Sequence, residues 1–319
     1  MRIAVVHPGV AFGTGDVAAG LTYGLKQLGV EVGLACVDVV IAVTAIRPPG
    51  FVDAILETGV PVTALFTESP YEQAAEVQMA GRVAGCWTHE RTAVSTFRAV
   101  QPHVAYLPHA WHPLVHTATP QPGDDQLPAH DVVFVGAGVR ERIAFFNAID
   151  WTGIDLGLYG IWDGLGLKDA LTPCIKSEGP VANTTAAALY RRARIGLNLY
   201  RRLPVLGPDR PTLRDLGQDV PANWVQAESL NPRAYELAAC GCFQLSDSRS
   251  EIPDVFGCLV PTFGTMAGSV GDEIRSWLRW VNLRGDADRA DLQGMVAGHS
   301  WIDRAGQVLR DLQTWGLTA

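Results

Sequence analysis

Two glutamates with seven residues between them, Glu228 and Glu236, bracket the stretch of this 319-residue chain that is richest in chemistry. Ser229, Asn231 and Arg233 lie between them. The run NPRAYELAACG (231–241) reads as a helix, with Asn231 as N-cap, Pro232 in the first turn and Gly241 just past the end. A helix N-terminus offers unpaired N–H groups and the positive end of a dipole, which suit a diphosphate. A carboxylate accepts hydrogen bonds from vicinal hydroxyls of a sugar or ribose. An arginine can grip phosphate with two parallel bonds. One short segment therefore supplies partners for sugar, ribose and phosphate. The spacing taken alone also has an ordinary reading, a capped helix with surface glutamates.

Other candidates sit where strands end. His7 closes the first apolar run, His89 follows another, and His109 and His112 flank a third. Single histidines are more often structural than catalytic; His109 ranks first for substrate contact and His7 second. Glu68 and Glu90 also sit at strand ends, and any of these groups could deprotonate an acceptor hydroxyl as general base. The loop PGVAFGTG (8–15) lacks the strict GxGxxG pattern, and the second strand ends in Ala35-Cys36 rather than an acid. Both facts argue against an NAD-dependent oxidoreductase. No metal site is expected: there is no Asp-x-Asp, Asp124-Asp125 lies in a proline-rich segment, and His109-x-x-His112 has no partners. Arg191-Arg192, Arg201-Arg202, Arg210 and Arg214 read as a solvated face or, turned inward, as a guide for a polyanion such as DNA.

The elements that must hold these groups follow from the apolar pattern. Residues 1–115 alternate apolar strand runs (RIAVVH, VVIAV, VTALF, GCWT) with helical periodicity, the first helix showing Val17, Leu21, Leu25 and Leu28 on one face. Residues 116–130 carry prolines and two adjacent aspartates, and read as a linker. Residues 131–300 restart the alternation with DVVFVGAG, a strand ending in a glycine turn at Gly136 and Gly138, then IDLGLYGIW, IGLNLYR and CFQLSD. Residues 301–319 form a terminal helix. Such alternation implies α/β units with parallel sheets covered on both faces, and hence two Rossmann-like domains facing across a cleft. Composition agrees: 48% hydrophobic and 18% charged residues suit a packed globular chain. A net charge of −8 disfavours a non-specific DNA-binding module, although a local basic site remains compatible with it. Six cysteines without a CxxC pair read as reduced thiols of a cytoplasmic protein, and no apolar run is long enough to span a membrane.

The stretch 226–257 resembles the sugar-nucleotide segment of GT-B glycosyltransferases, and within them the CgeB-like, spore-maturation-protein type group. Its pattern runs Pro232-Arg233-Ala-Tyr-Glu236, Gly241-Cys242-Phe243, Ser246-Asp247, Glu251, Phe256-Gly257. DVVFVGAGVRER (131–142) is similar to the first strand and glycine turn of the family's C-terminal domain. HSWIDRAGQVL (299–309) is similar to its terminal helix, which returns to the N-terminal domain. The resemblance extends from about residue 131 to 310 and weakens before 104. It implies metal-independent transfer of a sugar from a nucleotide-sugar, a UDP-sugar first, to a hydroxyl. Glu236 would then hold the ribose and Glu228 the donor sugar or its phosphate side. Arg140 or Arg142, after the Gly136/Gly138 turn, would neutralise the diphosphate, beside Ser229, Asn231 and Arg233. The acceptor classes compatible with the group are a hydroxymethylated base in DNA, a protein and a glycan. A non-catalytic nucleotide- or sugar-binding protein on the same fold is the alternative.

Overall fold

The computed structural model describes residues 1–9, 13–43, 50–162, 166–201, 203–204, 224–225, 227–264, 269–284 and 287–318. The chain divides into two units, residues 1–110, 202–229 and 299–319 in unit 1, and residues 111–201 and 230–298 in unit 2. Unit 1 starts with β1 (Arg2–Val6), α1 (Thr14–Gln27), β2 (Glu31–Val32), β3 (Val39–Val43), α2 (Phe51–Leu56) and β4 (Val62–Phe66). It continues with α3 (Gln73–Ala80), β5 (Gly85–Thr88), α4 (Val94–Arg98) and β6 (Val104–Tyr106). These strands form one parallel sheet in the order β2-β1-β3-β4-β5-β6. The runs VVIAV and VTALF are apolar without alternation because every residue of both central strands is buried. Helix α1 begins at Thr14. Gly13 takes the cap position with φ +82°, and the Asp16 carboxylate accepts its N–H at 3.4 Å.

Unit 2 contributes β7 (Val132–Val135), α5 (Arg140–Ala148), β8 (Leu156–Tyr159), α6 (Asn183–Arg192) and β9 (Ile195–Asn198). Two short antiparallel strands of unit 1, β10 (Leu203–Pro204) and β11 (Trp224–Val225), come next. The chain then returns to unit 2 with α7 (Pro232–Ala239), β12 (Phe243–Ser246), α8 (Ile252–Phe256), α9 (Val270–Arg284) and α10 (Ala287–Met295). The second parallel sheet has the order β12-β9-β7-β8. Helix α11 (Trp301–Thr314) belongs to unit 1, where Trp301, Ala305, Val308 and Leu312 are buried with Val17, Leu21 and Leu25 of α1. Its start is a capping box: Ser300 accepts from the Asp303 N–H, and Asp303 accepts from the Ser300 N–H.

The proline-rich segment 116–130 is packed along unit 2. His116, Asp124 and His130 are all buried. Arg191 of α6 holds Asp124 with two bonds of 2.6 and 2.8 Å and donates to the Thr117 carbonyl at 3.1 Å. His130 bridges Asp155 at 3.0 Å and the Tyr159 hydroxyl at 2.9 Å. The buried polar side chains Asp124 and His130 of this segment are thus held by α6 and by both ends of β8.

Both sheets place their first strand between their second and third, a doubly wound order with a switch point beside that first strand. Ligands of such sheets sit beyond the carboxyl ends of the strands flanking the switch. In unit 2 those ends are Val135, leading into Gly136–Val139, and Asn198, leading into Leu199–Tyr200.

Candidate functional site

The switch point of unit 2 brings together Asn231, Arg233, Gly136, Gly138 and Arg142. Asn231 caps α7, its side chain accepting from the Ala234 N–H at 3.1 Å and donating to the Asn198 side-chain oxygen at 2.9 Å. Its own N–H donates to the Tyr200 hydroxyl at 3.1 Å. Helix α5 starts at Val139, whose side chain offers no cap, so the positive end of a second helix lies at the same sheet edge. Gly136 and Gly138 make the turn between β7 and α5. A Cβ on Gly136 would lie 2.7 Å from an Arg233 Nη2, and one on Gly138 would lie 2.4 Å from the Trp162 ring. The glycines are needed because an arginine and a tryptophan fill the space beside the backbone.

Two guanidiniums meet there. Arg142 donates to the Ala137 carbonyl at 3.0 Å and to the Leu199 carbonyl at 2.8 Å, and Arg233 reaches the same Leu199 oxygen at 3.5 Å. Both lie by the ring of buried Phe134, at 5.1 and 4.8 Å from its centroid. The Nε of each is buried without a hydrogen-bond partner. Burial first, and then the charge of Arg233, push the Arg142 guanidinium down to about 9, with Arg201 adding to the effect. Like charges confined in low dielectric repel strongly, so this spot favours an anion. Of the two arginines after the glycine turn, Arg142 is turned inward, whereas Arg140 is exposed at the start of α5.

Glu236 lies one turn along α7, with 15% of its side chain exposed and His116 Nε2 at 3.9 Å from its carboxylate. Burial pushes His116 down to about 3, so the ring is neutral. Its Nδ1 accepts the His112 N–H at 3.0 Å, which puts the ring proton on Nε2, facing Glu236. Two further residues, Arg249 and Glu251, shape the site. Arg249 stacks on the Tyr200 ring at 4.0 Å and donates to Asp247 at 3.0 Å. Glu251 accepts the Leu230 N–H at 2.6 Å. Glu251 and the Ser246-Asp247 pair beside Arg249 were visible as a pattern; the Tyr200 ring on which Arg249 stacks, just past β9, was not.

Glu228 and Ser229 belong to unit 1 rather than to the unit that carries Glu236. Their backbone N–H groups donate to Glu90 Oε2 at 3.0 and 3.1 Å, and the Ser229 hydroxyl accepts the Arg91 N–H at 2.8 Å. His109 stacks on His89 with ring centroids 3.7 Å apart. Burial first, then His89 and Arg304, hold the His109 imidazole well below its ordinary value. The residue keeps some accessible surface, yet its Nδ1 is fully covered. Arg304 of α11 donates to the His109 carbonyl at 3.2 Å. His7 follows β1 at the switch point of unit 1, its Nδ1 accepting the Gly9 N–H at 3.2 Å. Glu76 is buried beneath the loop after β4 and accepts from the Glu68 N–H at 2.9 Å and from the Ser69 hydroxyl.

Of the arginine pairs, Arg191 is consumed by Asp124. Arg202, Arg210 and Arg214 lie outside the described residues. Among the described residues no cluster of three or more His, Cys, Asp or Glu could hold a metal ion. No described helix is long and apolar enough to cross a membrane. The cysteines are unpaired, and burial pushes the Cys86 and Cys242 thiols up to about 12, which makes them inert core groups.

Solved structures share this architecture over nearly the whole chain. AviGT4, a glycosyltransferase involved in avilamycin A biosynthesis, matches with a TM-score of 0.59 at 18% identity, covering 98% of this chain and 97% of its own. Anabaena Alr3699/HepE in complex with UDP-glucose matches with a TM-score of 0.63 at 12% identity, covering 98% and 99%. A T4 phage BGT mutant in complex with UDP-glucose matches with a TM-score of 0.50 at 12% identity, covering 99% and 97%. At these identities the likeness shows the fold, which is GT-B. No curated protein matches the chain. Residues 140–310, more than half of the sequence, match the glycosyl transferase-like family, and the chain belongs to it.

Proposed function

We propose that this member of the glycosyl transferase-like family transfers a sugar from a nucleotide-sugar, a UDP-sugar first, to a hydroxyl acceptor. The observation that carries the reading is the Arg142–Arg233 pair, two guanidiniums with orphaned Nε atoms at the switch point of unit 2. A diphosphate placed there relieves their repulsion and takes charge-assisted bonds. As the leaving group departs, the same charges and the α5 and α7 dipoles stabilise the developing negative charge, which is the work a metal would otherwise do. Glu236 takes the ribose hydroxyls, Asn231 holds the entrance of α7, and Gly136 leaves room beside the backbone for Arg233. Glu228 takes the donor sugar, with Ser229 fixing its segment. That two proteins of the same fold hold UDP-glucose supports uridine as the base.

The subgroup we assign is the CgeB-like one, on the motif from Pro232 to Gly257. Residues 131–300 form the donor-binding part and residues 1–115 the acceptor-side part in this reading. On the acceptor side His7 is the better placed histidine. The His109 ring is stacked on His89 and held far below the range of a useful base. The acceptor is a hydroxyl of a DNA base, a protein or a glycan. Commitment of Arg191 to Asp124 removes one of the cations that favoured DNA.

The test is a thermal-shift panel of UDP-, GDP-, ADP- and dTDP-sugars on the wild type and on Glu236→Ala, followed by donor hydrolysis with the best binder. A ligand that binds only the native state raises its melting point. The expected result is a shift with UDP-sugars that E236A loses, together with slow hydrolysis. Absence of a shift with every donor overturns the proposal. Tight binding without hydrolysis of any donor, or transfer to any acceptor class, assigns the protein to the non-catalytic alternative.

A further inference from the structure

Glu90 follows β5 and caps the short 3-10 turn Arg91–Ala93; only 1% of the residue is exposed. Its carboxylate is crowded with donors. Oε1 accepts the Thr92 N–H at 3.0 Å, the Thr92 hydroxyl at 2.6 Å and the Ser229 hydroxyl at 3.5 Å. Oε2 accepts the Glu228 and Ser229 N–H groups at 3.0 and 3.1 Å. An ionised carboxylate has about four lone-pair sites, so none is left for a proton from substrate. Two of its donors lie 138 and 139 residues further along the chain.

We propose that Glu90 is a positioning residue of the transfer site: it fixes the Glu228–Ser229 backbone and so aims the Glu228 side chain, and it is not the general base. The inference rests on the reading of Glu228 as the donor-sugar contact. The physical reason for an acid at position 90 is acceptor count. Two successive backbone N–H groups, a third N–H and two hydroxyls converge on it, and only an anionic group with two acceptor oxygens satisfies them. A glutamine keeps the shape but turns an NH2 toward two or three donors. The following amides have separate anchors in unit 2, Glu251 for Leu230 and the Tyr200 hydroxyl for Asn231. Loosening Glu90 should therefore free residues 228 and 229 alone.

The experiment compares Glu90→Gln, Glu90→Asp and Glu228→Ala with the wild type. The readouts are amide hydrogen exchange, the melting-point shift given by UDP alone, and UDP-sugar turnover across pH. E90Q is expected to speed exchange at Glu228 and Ser229 by about tenfold or more while Leu230 and Asn231 stay protected. Turnover should fall by about 10- to 100-fold, the scale of a misplaced contact, with the UDP shift unchanged. The acid limb of the pH–rate profile should persist. E90D, with an anion on a shorter arm, is expected between the two, and it carries the same reading if E90Q does not fold.

Wild-type exchange at 228 and 229 in either variant overturns the proposal. Disappearance of the acid limb in E90Q also overturns it, since that makes Glu90 the base. If E228A leaves turnover intact, the donor-sugar role of Glu228 fails and with it the aiming role, whereas the exchange data still report whether Glu90 holds the segment. If E228A lowers turnover and E90Q does not, Glu90 alone is refuted.

Discussion

Replacing Arg142 by glutamine separates an anion site from a structural clamp. A buried arginine that merely ties two carbonyls together is costly to remove, about 1–3 kcal/mol for each buried acceptor left unsatisfied. Arg142 instead holds its charge at a cost. Its guanidinium is pushed well below its ordinary value, to about 9, and at about 1.4 kcal/mol per unit that is on the order of 5 kcal/mol of unfavourable charge in the unliganded protein. Glutamine removes that term and keeps one donor for the Ala137 or Leu199 carbonyl. It loses the other bond, worth about 1–3 kcal/mol as an unsatisfied buried acceptor. It also loses the contact with Phe134, about 0.5–2 kcal/mol. These losses offset the relief, so the stability of the unliganded variant should stay within about 1–2 kcal/mol of wild type or exceed it.

Binding moves the opposite way. Loss of charge-assisted contacts to a diphosphate, about 1.5–3 kcal/mol, weakens UDP roughly 10- to 100-fold. At a UDP concentration of about 100 times the wild-type Kd, ligand stabilisation is about 2.7 kcal/mol; a 30-fold weaker variant retains about 0.9 kcal/mol. Urea unfolding with and without UDP reads both quantities. A drop of several kcal/mol in the unliganded protein, with an unchanged UDP increment, would refute the reasoning.

Two further substitutions test the fold around the site. A Cβ at Gly24 of α1 would fall 2.1 Å from the Trp301 carbonyl oxygen and 2.9 Å from the Ala305 Cβ, and a helix backbone cannot yield as a side-chain tip can. Gly24→Ala should therefore cost at least about 1–3 kcal/mol by overpacking α1 on α11. Gly294→Ala, on an exposed face of α10 with nothing within 4 Å, should gain about 0.5–1 kcal/mol. Equal effects in denaturant melts would contradict the α1–α11 packing. Burial raises Glu76 from 4.5 to about 7, so the folded state holds its proton more tightly than the unfolded chain does. The stabilisation is complete below about pH 4.5 and is lost as pH rises through 7, to a total of roughly 3 kcal/mol. Glu76→Gln should lack this loss, so the variant gains on the wild type between about pH 5 and pH 8. A pH-independent difference between the two proteins would show that Glu76 is ionised throughout.

The amino-acid sequence by itself determined what depends on neighbours within a few residues. The α7 helix is legible because Asn231, Pro232 and the apolar spacing act within a turn or two, and the Asn231 cap is made as the residue type requires. The strands VVIAV and VTALF are legible because continuous apolar runs between helices have no stable home except a sheet covered on both faces. Together these are enough for two parallel α/β units and for a helix start bearing Arg233 and Glu236. The short second strand shows the limit: EVGLAC has strand character, yet only Glu31–Val32 pair, because β2 lies at the sheet edge with a single neighbour.

Only the tertiary structure decided which of several equivalent residues face one another. Arg140 and Arg142 are indistinguishable in sequence. Arg142 turns inward because β9 lies next to β7 and brings the Leu199 carbonyl to it from 57 residues away. The proline-rich stretch 116–130 looks like a connector until α6 brings Arg191 to Asp124 across 67 residues. Glu90 reads as a base at a strand end, and only the fold shows that the chain returns to it with two backbone N–H groups from 138 and 139 residues away. In each case the deciding partner is remote in sequence. Local propensity fixes where a backbone group points but not what sheet order brings against it, and buried polar groups are satisfied by whatever arrives there.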